Sequence, residues 1–245
     1  MSDAQITYGT GHGAWNNYHT ELLELVERLG VKNICEVGGG ANPALPLEFI
    51  VARGITYTVL DISQEELDKA PEGYAKVRAD ICDGTSLPSS AFDFIFTKML
   101  AEHVPSGEHF HRNVLRMLSP GGYAFHYFPT LFALPFVVNR IFPEALTAAA
   151  LSRLAPRDKV KQGKFPALYS WCFGPSRRQI NRLHSVGFQV VRYKGLFGAE
   201  AYYRRIPFGS AVSKLFRALM LRFPVPQLTA FSQVLLQKPV VQGAA

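Results

Sequence analysis

Short apolar runs alternate with helical periodicity along most of this chain. Asn33–Val37, Thr56–Leu60, Lys76–Ala79, Phe92–Thr97 and Tyr123–Phe128 are brief stretches bounded by glycine, proline or polar residues, which is how strands of a buried sheet read. Between them the spacing changes. Leu22, Leu23, Val26 and Leu29 fall on one face of a helix predicted over residues 16–29, with Gly30 as its stop. Ser63-Gln-Glu-Glu66 is a capping box opening a short helix that Pro71 closes. Ser106 can cap a helix running to Leu118, after which Ser119-Pro-Gly-Gly122 turns the chain into the next strand. Strands spaced by helices imply βαβ units and a mostly parallel sheet.

The alternation stops from Pro129 to about residue 172. There 131–141 is apolar and broken by prolines, 144–154 reads as a helix and 157–164 as a basic loop. It resumes with a helix at Ser176–Val186, a strand at Gly187–Lys194 and a last strand at Ala230–Gln237. Val212, Leu215, Phe216, Leu219 and Phe223 lie at helical spacing between those two strands. The expectation is one α/β domain over residues 1–245. Residues 1–30 form a glycine-rich flap and helix, 129–172 a lid inserted after the fifth strand, and 208–223 an added helix.

The chemistry concentrates in Ile34-Cys-Glu36-Val-Gly38-Gly39-Gly40-Ala-Asn42-Pro43, where the first of these strands ends and a helix should begin. Glycines there let the backbone approach a ligand without a Cβ in the way. A glycine turn alone also fits a dinucleotide, a flavin, a phosphate or a plain tight turn. Glu36 changes the balance, because it would repel a pyrophosphate but suit an ammonium group. Dinucleotide enzymes favour G-x-G-x-x-G, whereas these glycines are contiguous and Pro43 follows. Asp61 ends the second strand, where a carboxylate can accept both hydroxyls of a ribose. Asp80 ends the third, where it can accept from an adenine amino group, with Ile62 or Ile81 against the ring.

Over residues 33–129 the chain resembles the class I S-adenosylmethionine-dependent methyltransferases, in their small-molecule branch. The resemblance rests on Glu36-Val-Gly-Gly-Gly40, Asp61, Asp80, Phe92-Asp-Phe-Ile-Phe-Thr97, Ala101-Glu-His103-Val and Leu115-Arg-Met-Leu-Ser-Pro-Gly-Gly122. It implies a Rossmann-like seven-stranded sheet with an antiparallel last strand and helices on both faces. It also implies S-adenosylmethionine as cofactor, with Gly38–Gly40 around the methionine part, Asp61 on the ribose and Asp80 on the adenine. Thr97 and His103 join the cofactor's surroundings. Asn42 stands where the family has a further glycine, and asparagine tolerates unusual backbone angles.

Methyl transfer to a hydroxyl or protonated nitrogen profits from a base within hydrogen-bond reach, and histidine suits that role. His103, on the crevice rim, and His126, late in the fifth strand, are the candidates. Strand alternation leaves open whether His126 faces the site or the core. His109 and His111, two apart on a helix, point to different faces and read as packing or surface residues. No metal spacing exists, and none is expected. Tyr8, His12 and Trp15 in the flap, with Tyr169 and Trp171 beyond the basic loop, are candidate acceptor contacts. The alternative for the latter pair is that they pin the lid to the core. Thr97-Lys98-Met99-Leu100 stands where methyltransferases of nucleic-acid amines carry an Asn/Asp-Pro-Pro-aromatic tetrad, which disfavours nucleic acid.

Charge adds an asymmetry. The formal balance is +7 overall, yet residues 1–139 hold 9 Lys/Arg against 16 Asp/Glu, and residues 140–245 hold 17 against 3. A basic half can face solvent, an anionic small acceptor or a membrane. The apolar, basic segments 131–154 and 208–223 could lie on an anionic membrane and reach a lipid-linked acceptor, but core helices with solvated cationic edges are the expected reading. A cofactor-binding protein without turnover is the other alternative. The opening residues lack a secretion pattern, no apolar run approaches the ~18 residues of a membrane span, and Cys35, Cys82 and Cys172 form no framework. A cytoplasmic enzyme methylating a small molecule is therefore expected.

Overall fold

The computed structural model describes residues 4–11, 14–131, 166–198 and 209–240. The strands are β1 (Gln5–Thr10), β2 (Asn33–Val37), β3 (Thr56–Asp61), β4 (Ala75–Arg78), β5 (Phe92–Lys98), β6 (Leu118–Pro129), β7 (Gln189–Phe197) and β8 (Phe231–Gln237). The helices are α1 (Ala14–Leu29), α2 (Leu47–Ala52), α3 (Gln64–Lys69), α4 (Gly107–Met117), α5 (Arg177–Val186) and α6 (Gly209–Arg222). The strands form one sheet in the order β1-β7-β8-β6-β5-β2-β3-β4. Among the described strands only β8 runs antiparallel to its neighbours, β6 and β7, as expected for the last strand.

Alternate residues of each central strand feed opposite faces. Ile34, Phe94, Phe96, Phe125 and Tyr127 pack with Tyr18, Leu22 and Leu25 of α1, Ile50 of α2 and Leu67 of α3. Cys35, Val37, Ile95, Ala124 and Phe128 pack on the other face with Phe110 and Val114 of α4 and Ile180 and Leu183 of α5. Caps start three helices. Ser63, Ser106 and Ser176 each accept from the backbone N–H three residues on, at Glu66, His109 and Gln179, which satisfies a donor the helix leaves unpaired.

Three expectations change. Residues 5–10 are not a flap but an eighth strand at the sheet edge, paired parallel to β7 from Gln5↔Arg192 to Thr10↔Phe197. Tyr8 accordingly stacks on Phe197, centroids 5.6 Å apart. The helix expected directly after the glycine turn begins only at Leu47. The third concerns α6, which is seated by Ser213 and Met220. Its apolar stripe of Val212, Leu215, Phe216, Leu219 and the following Phe223 is exposed instead of joining the core. Of the lid over 129–172, residues 132–165, with the helix and basic loop expected there, lie outside the described residues, as does His12. Trp15 belongs to the first turn of α1, and its side chain likewise lies outside them.

Candidate cofactor and active site

Strand order reverses between β2 and β5. From β2 the chain proceeds outward through β3 and β4, and from β5 it proceeds the other way through β6. Such a reversal opens a crevice at the carboxyl ends of the two strands. The glycine turn fills the β2 side of that position. Gly38 and Gly40 adopt φ of +79° and +44°, left-handed values that glycine supplies without strain. The turn is also crowded. A Cβ on Gly38 would stand 2.5 Å from Leu100 Cδ1, and one on Gly39 would stand 2.8 Å from both Glu36 Cδ and Val59 Cγ1. On Gly40 it would meet Asp61 Oδ2 at 3.1 Å. Asn42 is not among the residues of positive φ. It closes the turn by donating its N–H to the Gly39 carbonyl at 3.0 Å, so the left-handed role anticipated for it falls to Gly40.

Glu36 shares its face of β2 with Ile34 and is buried beneath the turn. Its Oε2 accepts from the Ala44 N–H at 2.9 Å and from the Tyr57 hydroxyl. Burial pushes its pKa up to about 7, against those two hydrogen bonds and the nearby Lys98 ammonium, which pull it down. Glu36 therefore shapes the turn from below. Asp61 ends β3 half-buried, its Oδ1 accepting from the Ser63 N–H at 2.9 Å while Oδ2 borders Gly40. Desolvation raises its pKa, chiefly against the Ser63 hydrogen bond. Ile62 beside it is exposed, whereas Ile81 is buried in the α4–α5 core. Of the two isoleucines expected to flank an adenine, only Ile62 presents an open apolar surface. Asp80 follows β4 and closes a tight turn, its Oδ1 accepting from the Cys82 N–H at 2.8 Å.

The far side of the crevice corrects several expectations. Thr97 and His126 face each other across β5 and β6, and the Thr97 hydroxyl lies 2.9 Å from His126 Nδ1. Both are fully buried, with His126 against Phe110 and His111 at centroid separations of 5.1 and 5.5 Å. Burial holds His126 well below the ordinary histidine pKa and lowers His111 to about 3. His126 is thus a neutral core residue in place of the expected base, and Thr97 spends its hydroxyl on it. Tyr169 is buried in the α4–α5 core, its N–H donating to the Glu102 carbonyl at 2.9 Å. Trp171 packs on His111 and under the Arg182 guanidinium. The pair pins the returning chain to the core, the alternative to contacting an acceptor. Both hold positive φ, +54° and +61°.

His103 remains at the rim, partly exposed. Its Nδ1 donates to the Pro166 carbonyl at 3.1 Å, which leaves Nε2 as the basic nitrogen of the neutral ring. Nε2 lies 3.6 Å from Glu102 Oε1. Glu102 was missed by sequence reasoning. It is buried, and its Oε2 has no hydrogen-bond partner among the described residues. Burial pushes its pKa up to about 8. Only the adjacent histidine marked it in the sequence, because a carboxylate normally reads as a surface residue. Lys98 is a second such residue, its ammonium 5.8 Å over the Tyr18 ring. Among the described residues no three His, Cys, Asp or Glu side chains group to hold a metal ion, and no helix is long and apolar enough to cross a membrane. A surface depression of about 590 Å³ between α1 and β7, lined by Glu21, Glu24, Arg28 and Arg192, lies away from the reversal point. Within it Arg192 pairs with Glu21.

The residues present fit an adenosyl sulfonium amino acid. The turn offers backbone where no Cβ fits, the Asp61 carboxylate borders it, and the exposed Ile62 side chain follows. Residues 35–126 match a methyltransferase domain. No curated protein sequence matches the chain. Solved structures do resemble it. A SAM-dependent methyltransferase from Archaeoglobus fulgidus is 13% identical, with 90% of this chain and 94% of that chain covered and a TM-score of 0.51. The Haemonchus contortus phosphoethanolamine N-methyltransferase 2, solved with phosphomonomethylethanolamine and S-adenosylhomocysteine, is 13% identical over 90% of this chain and 52% of its own, at 0.53. The [4+2]-cyclase SpnF is 16% identical over 90% and 80%, also at 0.53. These likenesses establish the fold, and the matched domain sits on the strands that carry the glycine turn and both acids. Residues 35–126 thus carry a methyltransferase domain, on a fold shared with S-adenosylmethionine-dependent methyltransferases.

Proposed function

We propose that the enzyme methylates an oxygen or nitrogen of a small-molecule acceptor. The observation that carries the cofactor half of this reading is the glycine turn wedged between Glu36, Leu100 and Asp61 at the strand-order reversal. In this reading Gly38–Gly40 line the amino-acid part, with Glu36 supplying negative charge beneath it. Asp61 accepts from the ribose hydroxyls, Ile62 covers the adenine and Asp80 accepts from its amino group. The bound sulfonium supplies an electrophilic methyl group. What the chain adds is alignment of the acceptor and exclusion of water.

His103 is the proposed base. Its tautomer is fixed by Pro166, and the Glu102 carboxyl, its pKa raised by burial, lies beside Nε2. A small acceptor is supported by the rim sequence Thr97-Lys98-Met99-Leu100, which lacks the tetrad used on nucleic-acid amines. Lys98 near the site would favour an anionic group on the acceptor.

Calorimetry with S-adenosylhomocysteine tests the first half. Asp61→Ala removes charge-assisted hydrogen bonds worth about 1.5–3 kcal/mol, so affinity should fall roughly ten- to hundredfold. Unchanged affinity would remove Asp61 from the site. A second reading is favoured by one neighbour, the cyclase SpnF: the same fold can serve a reaction other than methyl transfer. That reading predicts cofactor binding with no S-adenosylhomocysteine formed across an acceptor screen.

A further inference from the structure

The least expected surface of the molecule is α6. Val212, Leu215, Leu219 and Phe223 are 65%, 73%, 52% and 61% exposed, and Phe216 stands between them at 39%. At about 100° per residue these positions form one stripe along the helix. The residues that seat the helix, Ser213 and Met220, lie on a different side. Beyond the helix, Val225 and Leu228 are also exposed. Isolated exposed leucines are ordinary, but a contiguous apolar stripe on a folded surface marks contact with another phase or molecule.

The charge around the stripe points to the occupant. From Ala201 to Ala245 the sequence contains no Asp or Glu, and its charged residues are all Lys or Arg. On α6 itself Lys214 and Arg222 are exposed. The Arg222 guanidinium lies 5.6 Å over the Phe223 ring, at the edge of the stripe where a cation can stay in water while its stem covers apolar surface. A second copy of this chain would bring like charges together across a two-fold axis, with no acid on α6 to answer them. An anionic bilayer satisfies both features at once.

We propose that α6 docks in the headgroup layer of an anionic lipid membrane, Val212, Leu215, Leu219 and Phe223 entering the interface and Arg222, at the edge of the stripe, meeting lipid phosphates. The helix lies in the membrane plane without crossing it. This docking does not depend on the acceptor's identity or on the base.

The test is co-sedimentation of the full chain with vesicles of phosphatidylcholine alone and with about one-third phosphatidylglycerol. Binding should be at least tenfold stronger to the anionic vesicles. It should weaken by a similar factor as salt rises from about 0.05 to about 0.5 M, where charges are screened within a few ångströms. The double variant Leu215→Glu/Leu219→Glu should abolish binding yet keep the wild-type affinity for S-adenosylhomocysteine, a readout that shows the domain still folded. Equal sedimentation with both vesicle types, or wild-type binding by the variant, overturns the proposal. So does a solution dimer that the variant dissociates without any vesicle binding, which would assign the stripe to a second copy.

Discussion

Glu102 is an acid placed where its charge is hardest to keep. Its pKa rises from an ordinary 4.5 to about 8 because burial disfavours the carboxylate. Between those values the folded protein holds a proton that the unfolded chain has released. The sign follows: this group's contribution to stability is complete below about pH 4.5, declines as pH rises, and is fully lost above about pH 8. Glu36, raised to about 7 by the same cause, adds a slope of the same sign. His103 faces Glu102 at 3.6 Å, and the buried Cys172 thiol is near enough to be raised further by it. Glu102→Gln should therefore flatten the fall in melting temperature between pH 5.5 and 8.5 and leave the variant more stable than wild type at the upper end. An unchanged slope in thermal scans would mean that the side chain is hydrated in solution. In the acceptor reaction the same variant should shift the pH–rate profile if His103 is the base, because Nε2 loses its ionisable neighbour.

At the scale of elements, the start of α4 shows why a helical glycine can be required. Glycine within a helix usually costs about 1 kcal/mol relative to alanine, so Gly→Ala is ordinarily stabilising. Gly107 is different. Its N–H donates to Ser170 Oγ at 2.8 Å, and a Cβ there would stand 2.5 Å from the Ser170 carbonyl and from Trp171 Cβ. Gly107→Ala should destabilise by about 1–3 kcal/mol through this overpacking and loosen residues 169–172. Removing the adjacent cap by Ser106→Ala should cost about 1 kcal/mol without disturbing them. Urea titrations of both variants, with Trp171 fluorescence as a local probe, separate the two. This clamp was not legible in the sequence. Trp171 and Tyr169 look the same there whether they face a ligand or a helix end, since aromatic rings serve both. The same limit hid the destination of His126, because alternation gives its side of the strand but not which side carries α4. By contrast, Asn33–Val37 and the caps at Ser63 and Ser106 were readable, because short-range spacing alone determines them. The edge strand β1 escaped notice because its pairing with β7 spans most of the chain, and its glycine and threonines carry no apolar run.

For the whole molecule, the sheet divides by what holds it. β2, β3 and β4 end in the glycine turn, Asp61 and Asp80, whereas β1, β7 and β8 are joined to one another and to β6 by main-chain pairing remote from those ends. A ligand that binds only the folded state adds stability of RT ln(1 + [L]/Kd), about 2.7 kcal/mol at a hundredfold excess over Kd. For a chain of this size each kcal/mol raises Tm by about 2–4 °C, so saturating S-adenosylhomocysteine should raise it by roughly 5–10 °C. The gain in hydrogen-exchange protection should not be uniform. Because local openings below the global limit are controlled by nearby contacts, slowing should concentrate at residues 36–46, 61–66 and 78–83. The β1–β7 edge, Gln5–Thr10 against Arg192–Phe197, should change only where exchange already requires global unfolding. Mass-resolved exchange with and without the ligand distinguishes this from the opposite pattern, in which protection centres on β1 and β7. That pattern would move the cofactor away from the strand-order reversal and detach the glycine turn from the chemistry assigned to it.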